Sequence, residues 1–189
     1  MRSYRIRMIE IRIHGRGGLG AVTLSELLGR TALKAGMKAQ TMPFFGVERR
    51  GADVKATVRL SFETIKQRSH SVDPDYLVLM TANVITAATL DGPHSDATII
   101  VNSPEPVDSP NPQWFFNGTA IAVKNDLVSG GEPYINMPML GAVCRALDLP
   151  RSLMEDTLME YWGEKSAPNL AAAAEAYDSA AFRERDSEK

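Results

Sequence analysis

The sequence predicts an α/β protein, a three-layer α/β/α sandwich on a mostly parallel sheet with a helical C-terminal region. Three observations predict it. Two continuous apolar runs, YLVLM from Tyr76 to Met80 and Ala97 to Val101, suit strands buried on both faces, as in a parallel sheet covered by helices. A strand pattern, a glycine turn and a helix pattern follow one another over residues 5–35. Beyond Gly130 the pattern becomes helical, over Met137 to Leu147, Ser152 to Trp162 and Asn169 to Phe182.

Tyr4, Ile6 and Met8 alternate with arginines, and Ile9, Ile11 and Ile13 alternate with Glu10, Arg12 and His14. The phase slips once between Met8 and Ile9, which marks a strand with an irregularity there. GRGGLG, from Gly15 to Gly20, then predicts a turn, since glycine offers no side chain to pack and permits positive φ. Val22, Leu24, Leu27, Leu28, Thr31, Ala32 and Ala35 fall at helical spacing, with Gly36 as the stop. Lys38 to Met42 reads as a short strand, and PFFGVERRG, from Pro43 to Gly51, as a loop. Val54 to Phe62 alternates apolar with polar and basic residues. It predicts a half-exposed strand, the candidate for an antiparallel edge.

Asn83 to Leu90 suits a helix, Ser103 to Pro112 an irregular proline-rich connector, and Ala120 to Val123 a short buried strand. Ser152 with Glu155 predicts a capping box. Residues 1–182 are read as one domain and 183–189 as a frayed charged tail.

Composition narrows the function. Cys144 is the only cysteine, so a cluster held by four cysteines cannot be housed here, and its place on a predicted helix reads as packing. His14, His70 and His94 stand in no metal-ligand spacing, which predicts no metal and leaves each an unaccompanied polar or surface role. No run approaches a membrane span, and the N-terminus lacks the apolar run of a signal peptide; the reading is cytoplasmic. Residues 1–70 hold 14 Lys and Arg against 5 Asp and Glu, leaving 7 against 18 for the remainder. Such asymmetry fits two mutually attracting halves or an anion-facing N-terminal half. Nucleic acid is not expected, for exposed aromatics do not interleave with the basic residues.

Two segments carry candidate chemistry. Gly15, Gly17 and Gly20 satisfy G-x-G-x-x-G between a strand and a helix, where backbone N–H groups can face an anion. A dinucleotide site would also want an acid about 20 positions on, where this chain reads AQTM. Readings as a tight structural turn, an independent dinucleotide site or a turn facing a ligand or partner all stand on these residues. The second segment joins Phe44 and Phe45 with Gly46, Glu48, Arg49, Arg50 and Gly51, a composition suited to docking or to gripping an anion; its plainer reading is a loop in which Glu48 pairs with its own arginines. No nucleophile–base pair is recognisable, and no catalytic residue is assigned.

The ordered set IRIHGRGGLGAVTLSELLG, PFFGVERRGADVKATVRLS, PDYLVLM, INMPMLGAVCRALDL and EKSAPNLAAAAEAY resembles the gamma subunit of pyruvate:ferredoxin oxidoreductase and its 2-oxoacid relatives. One departure lies at Asn136 to Ala142, where related chains often read N-T-x-x-L-G-A and this one reads NMPMLGA. The resemblance implies a complex that decarboxylates a 2-oxo acid on thiamine diphosphate with Mg2+, passes electrons through iron–sulfur clusters to ferredoxin or a similar acceptor, and transfers the acyl group to coenzyme A. It implies that these cofactors belong to companion subunits of alpha, beta and delta type, and that this chain shapes the coenzyme A side without catalysing alone. The working surface would be Gly15, Arg16, Gly17, Gly18 and Gly20 with Phe45, Gly46, Glu48, Arg49, Arg50 and Gly51. A stand-alone dinucleotide-binding oxidoreductase and a pure assembly scaffold are the competing expectations.

Overall fold

The computed structural model describes residues 8–45, 53–69, 73–81 and 97–185. A seven-stranded mixed sheet runs through them in the order β2-β3-β1-β4-β5-β6-β9. Its strands are β1 (Ile9–Arg16), β2 (Lys38–Phe45), β3 (Asp53–Ser61), β4 (Tyr76–Leu79), β5 (Thr98–Asn102), β6 (Gln113–Phe116) and β9 (Ala181–Arg183), and a separate hairpin joins β7 (Val128–Ser129) to β8 (Glu132–Pro133). β1, β4, β5 and β6 pair in parallel; β3 lies antiparallel between β1 and β2, and β9 closes the far edge antiparallel to β6. Five of the seven strands therefore share one direction.

Among the described residues the helices are α1 (Ala21–Lys34), α2 (Gly118–Lys124), α3 (Asn136–Ala146), α4 (Arg151–Trp162) and α5 (Ala167–Ser179), with a 3-10 turn over Gly163–Ser166. All five send apolar side chains into one core, where Leu24, Leu28, Ile121, Leu140, Met154 and Ala173 join Ile11, Ile13, Val58, Val78 and Ile100 of the sheet. On the opposite face Leu77, Leu79, Ile99 and Val101 form a smaller apolar cluster with Val107 and Phe115. The helix expected over 83–90 and the N-terminal part of the first strand, before residue 8, lie outside the described residues.

α3 and α5 cross at Gly141, where an added Cβ would stand 2.0 Å from the Ala173 carbonyl oxygen. Only glycine lets two helix backbones approach so closely.

Several elements differ from the sequence reading. β1 continues through Gly15 and Arg16, because both pair with β3 opposite Val54 and Asp53; the turn begins at Gly17. Pro43, Phe44 and Phe45 belong to β2 rather than to a loop, and Pro43 is tolerated because β2 is the outermost strand. β3 is antiparallel as expected but is not the edge. Strands pair with it on both sides, and on its polar face Thr57 and Arg59 are buried while Lys55 is exposed.

Ala120 to Val123 is helical, in α2, whose start is capped by the Asn117 side chain accepting from the Ala120 N–H at 2.9 Å. The strand of this region is Gln113–Phe116 instead. The capping box at Ser152 does not form, for α4 begins at Arg151 behind Pro150 and no side chain caps it. The last helix ends at Ser179, and Phe182 and Arg183 enter β9, so Arg183 belongs to the sheet and not to a frayed tail. Strand pairing overrode helical continuation there: Phe182 lies opposite Trp114, their rings 5.1 Å apart.

Candidate functional site at the C-terminal edge of the sheet

The parallel strands β1, β4, β5 and β6 end along one edge, and the glycine turn leaves from it. Gly15 approaches β4 so closely that a Cβ would meet the Met80 sulfur at 2.8 Å, while the Met80 N–H donates to the His14 carbonyl at 2.9 Å. The chain then reverses: the Leu19 N–H donates to the Arg16 carbonyl at 3.1 Å, with Gly18 at φ +98°. Gly20 at φ +81° hands over to α1, its carbonyl accepting from the Leu24 N–H at 2.9 Å.

No side chain caps α1, and its first turn contains no acid, so its leading N–H groups face outward with the positive end of the helix dipole. Asn136, the first residue of α3, presses against Gly20 such that an alanine Cβ at position 20 would lie 2.6 Å from its Nδ2. α3 likewise has no side-chain cap and no acid in its first turn. Two helix starts thus meet at the glycine turn.

Farther along the edge Asn102 ties three elements together. Its Nδ2 donates to the Met80 carbonyl and to the Thr119 hydroxyl, each at 3.1 Å, and its Oδ1 accepts from the Thr119 N–H at 3.3 Å. Sequence reading missed Asn102, since a single asparagine ending an apolar run carries no local signal. It missed the Asn136–Gly20 contact because the two residues are more than 100 positions apart.

Of the residues read as the working surface, Gly15, Arg16, Gly17, Gly18 and Gly20 stand together at this edge. The backbone of Phe45 lies opposite Val54, which itself lies opposite Gly15. With strands about 4.8 Å apart, Phe45 is two strands, about 10 Å, from the glycine turn, and Asp53 adjoins Arg16 directly. The residues that flank 46–52 therefore share the edge with the turn. Gly46, Glu48, Arg49, Arg50 and Gly51 lie outside the described residues.

The topology also bears on a stand-alone dinucleotide site. Such sites put the ribose-binding acid at the end of a parallel strand beside the first. In this sheet antiparallel β3 occupies that place, and β2 is displaced to the rim.

On the second face a polar row crosses the strands at the other end of the sheet, beside the start of β1. Buried Arg59 donates to Glu10 of β1 at 2.9 Å, to Gln40 of β2 at 3.1 Å and to the Ser69 carbonyl at 2.6 Å. Glu10 and Gln40 are its direct neighbours in register, so one guanidinium fastens three strands. Cys144 is fully buried in α3 and desolvation raises its thiol pKa, which suits packing and not nucleophilic work. Among the described residues no group of three or more His, Cys, Asp or Glu gathers to hold a metal ion, and no helix is long and apolar enough to cross a membrane.

Comparison with known proteins meets this geometry. The family profile of pyruvate ferredoxin/flavodoxin oxidoreductase matches residues 10–179, from β1 to the end of α5. The chain belongs to that family. Pyruvate synthase subunit PorC of Methanothermobacter marburgensis is 37% identical over 175 residues, covering 90% of this chain and 97% of that protein. The common gamma subunit of pyruvate/ketoisovalerate oxidoreductases from Pyrococcus abyssi is 34% identical over 182 residues, covering 90% and 96%. Among solved structures, pyruvate oxidoreductase subunit PORC of Thermotoga maritima superposes with a TM-score of 0.81 at 26% identity, over 94% of this chain and 99% of that one. A 2-oxoglutarate:ferredoxin oxidoreductase from Magnetococcus marinus, solved with 2-oxoglutarate, coenzyme A and succinyl-CoA bound, contains the same fold in 30% of its chain, with a TM-score of 0.74 and 20% identity. The pyruvate ferredoxin/flavodoxin oxidoreductase chain described here is a gamma subunit, one part of a multi-subunit 2-oxoacid:ferredoxin oxidoreductase.

Proposed function

We propose that this gamma subunit forms the coenzyme A-side wall of a complex that oxidatively decarboxylates a 2-oxo acid to an acyl-CoA. The glycine turn from Gly15 to Gly20, together with Phe45, Gly46, Glu48, Arg49, Arg50 and Gly51, supplies that wall. The observation that carries this reading is the shared edge, where Arg16 and Asp53 are register partners and Phe45 lies one strand beyond.

Coenzyme A brings several phosphate charges, and the residues present fit such a group. α1 starts without a side-chain cap or an acid, and nothing stands within 4 Å of the missing Cβ of Gly18, so a phosphate can approach the backbone closely. Arginine forks from Arg49 and Arg50 would add two-point contacts. The role of the chain is positioning and charge compensation. Asn136 and Asn102 hold the edge rigid beneath the ligand.

An iron–sulfur cluster held by four cysteines does not fit this chain, whose one cysteine is buried in a helix. Thiamine diphosphate with Mg2+ and the iron–sulfur clusters are assigned to companion subunits of alpha, beta and delta type, with ferredoxin or a similar protein as acceptor. Thiamine diphosphate supplies the carbanion chemistry of the decarboxylation when bound in its own subunit. The complex is assigned to the cytoplasm.

Replacing Arg49 and Arg50 by Ala in the assembled complex tests the reading. Losing charge-assisted hydrogen bonds to phosphate, each worth about 1.5–3 kcal/mol, raises the KM for coenzyme A on the order of tenfold or more, with the KM for the 2-oxo acid unchanged. An unaltered coenzyme A KM in an intact complex makes the chain a scaffold instead.

A further inference from the structure

His14 is the group at this edge that the proposed function does not use. It sits on β1 directly opposite Lys55 of β3 and Leu79 of β4, and Lys55 in turn faces Phe44 of β2. Register partners project from the same face, so Phe44, Lys55, His14 and Leu79 form one row across four strands. Arg12, two residues earlier on β1, projects from that face as well. His14 is 4% exposed, and its Nε2 is buried without a hydrogen-bond partner.

An unpaired buried nitrogen costs about 1–3 kcal/mol, and native proteins rarely leave one without a use. Here the cost is compounded, since Arg12 and Lys55 both bring positive charge to bear on the same imidazole. Asp73 acts on Arg12.

We propose that His14, Lys55 and Arg12 form a receptor for one oxyanion, a carboxylate or phosphate-type group seated on the second face of the sheet behind the C-terminal end of β1. The orphan Nε2 supplies the central contact, and protonation makes it a charged donor. Lys55, exposed beside His14, pairs with the anion from the solvent side. Leu79 and Phe44 bound the row with apolar side chains.

The surroundings of the row explain the titration of His14. Burial first, then the charges of Arg12 and Lys55, lower its pKa from 6.5 to about 4. Among the described residues those are the charged groups that act on it, and Leu79 of β4 is apolar. An anion in the row reverses the sign of the local field and returns the imidazole toward its ordinary range, so that binding takes up a proton. If the pKa returns to about 6.5, oxyanion affinity rises on the order of tenfold as the pH falls from 7 to 5.

Two sources can bring this chemistry, a free anion or an acidic side chain of a companion subunit, and one experiment with two arms separates them. In the first, the full-length chain labelled with 15N-histidine is titrated with inorganic sulfate, whose charge is constant over this range, and the His14 ring resonances are followed at pH 5, 6 and 7. In the second, the chain is assembled with its companion subunits in buffers of different ionisation heat at pH 5.5, and the protons taken up are counted. Sulfate-dependent protonation of His14 assigns the receptor to a free anion. Uptake of close to one proton per chain on assembly, absent with sulfate, assigns it to a companion's carboxylate. His14→Gln, which keeps a hydrogen-bonding side chain, abolishes either response while the rest of the spectrum shows the fold retained. If neither arm protonates His14, or if His14→Gln leaves the proton count unchanged, the receptor does not exist.

Discussion

Replacing Gly20 by Ala is the sharpest test of how the glycine turn is built. The residue sits at φ +81°, in the left-handed region, where an L side chain costs about 1–2 kcal/mol by crowding its own backbone. A second cost comes from outside the turn. The new Cβ would lie 2.6 Å from Asn136 Nδ2, 2.9 Å from its Cγ and 3.0 Å from its Cβ, so turning the amide aside cannot relieve the overlap and the start of α3 must shift. Overpacking of this kind typically adds about 1–3 kcal/mol. The sum, about 2–5 kcal/mol, corresponds to a fall in Tm of roughly 4–20 °C for a domain of this size. The two terms separate in a double-mutant cycle, for Asn136→Ala removes the amide that blocks the new methyl and leaves the φ cost untouched. Gly20→Ala should therefore be less damaging in the Asn136→Ala background, with a coupling on the order of 1 kcal/mol in urea unfolding of the isolated subunit. Strict additivity would refute the contact between the two helix starts, and an undiminished Tm would refute the left-handed turn as well.

Gly141→Ala should cost at least as much, because its Cβ meets the Ala173 carbonyl at 2.0 Å and a backbone atom cannot rotate away; urea unfolding should show a lowered midpoint, and wild-type stability would contradict the crossing of α3 and α5. In sulfate-free buffer, stability should decline as the pH falls from about 6.5 to about 4, by up to about 3 kcal/mol, since in that window the unfolded chain protonates His14 while the folded chain, with its pKa lowered to about 4, does not. His14→Gln should flatten that part of the pH–stability curve, and an unchanged slope would show that other groups carry it.

What was legible in the sequence follows from the range of the forces involved. The strand, turn and helix from Ile9 to Lys34 were readable because alternation, glycine and helical spacing are local and mutually consistent there. The buried strands at Tyr76 and Thr98 were readable for the same reason. AIAV was misread because a four-residue apolar run looks alike in a strand and in a buried helical turn; the deciding signal was Asn117, an N-cap residue just upstream. Phe182 was assigned to a helix because alanines preceded it, but its partner strand lies almost 70 residues earlier and leaves no periodic trace. In the site, the glycines were visible one by one, whereas Asn136, Asn102 and the row through His14 exist only once distant strands are in register.

That register brings the residues flanking the arginine-bearing segment, some 30 residues on, to the same end of the sheet as the glycine turn. After α1 the chain runs to the rim as β2, parallel to β1, and returns as β3, which pairs with β1 along its whole length. The connection between β2 and β3 must then leave from the same end of the sheet as the turn after β1. Buried Arg59, bonded to Glu10 and Gln40, favours this alignment over a slip by one residue, which would carry the guanidinium to the apolar face and strip it of both partners. A doubly wound nucleotide-binding sheet places a second parallel strand beside the first and gains an acid for a ribose. This sheet places an antiparallel strand there, which brings Phe45 and Asp53 to the same end as the glycine turn, the arrangement that the proposed coenzyme A-side wall requires.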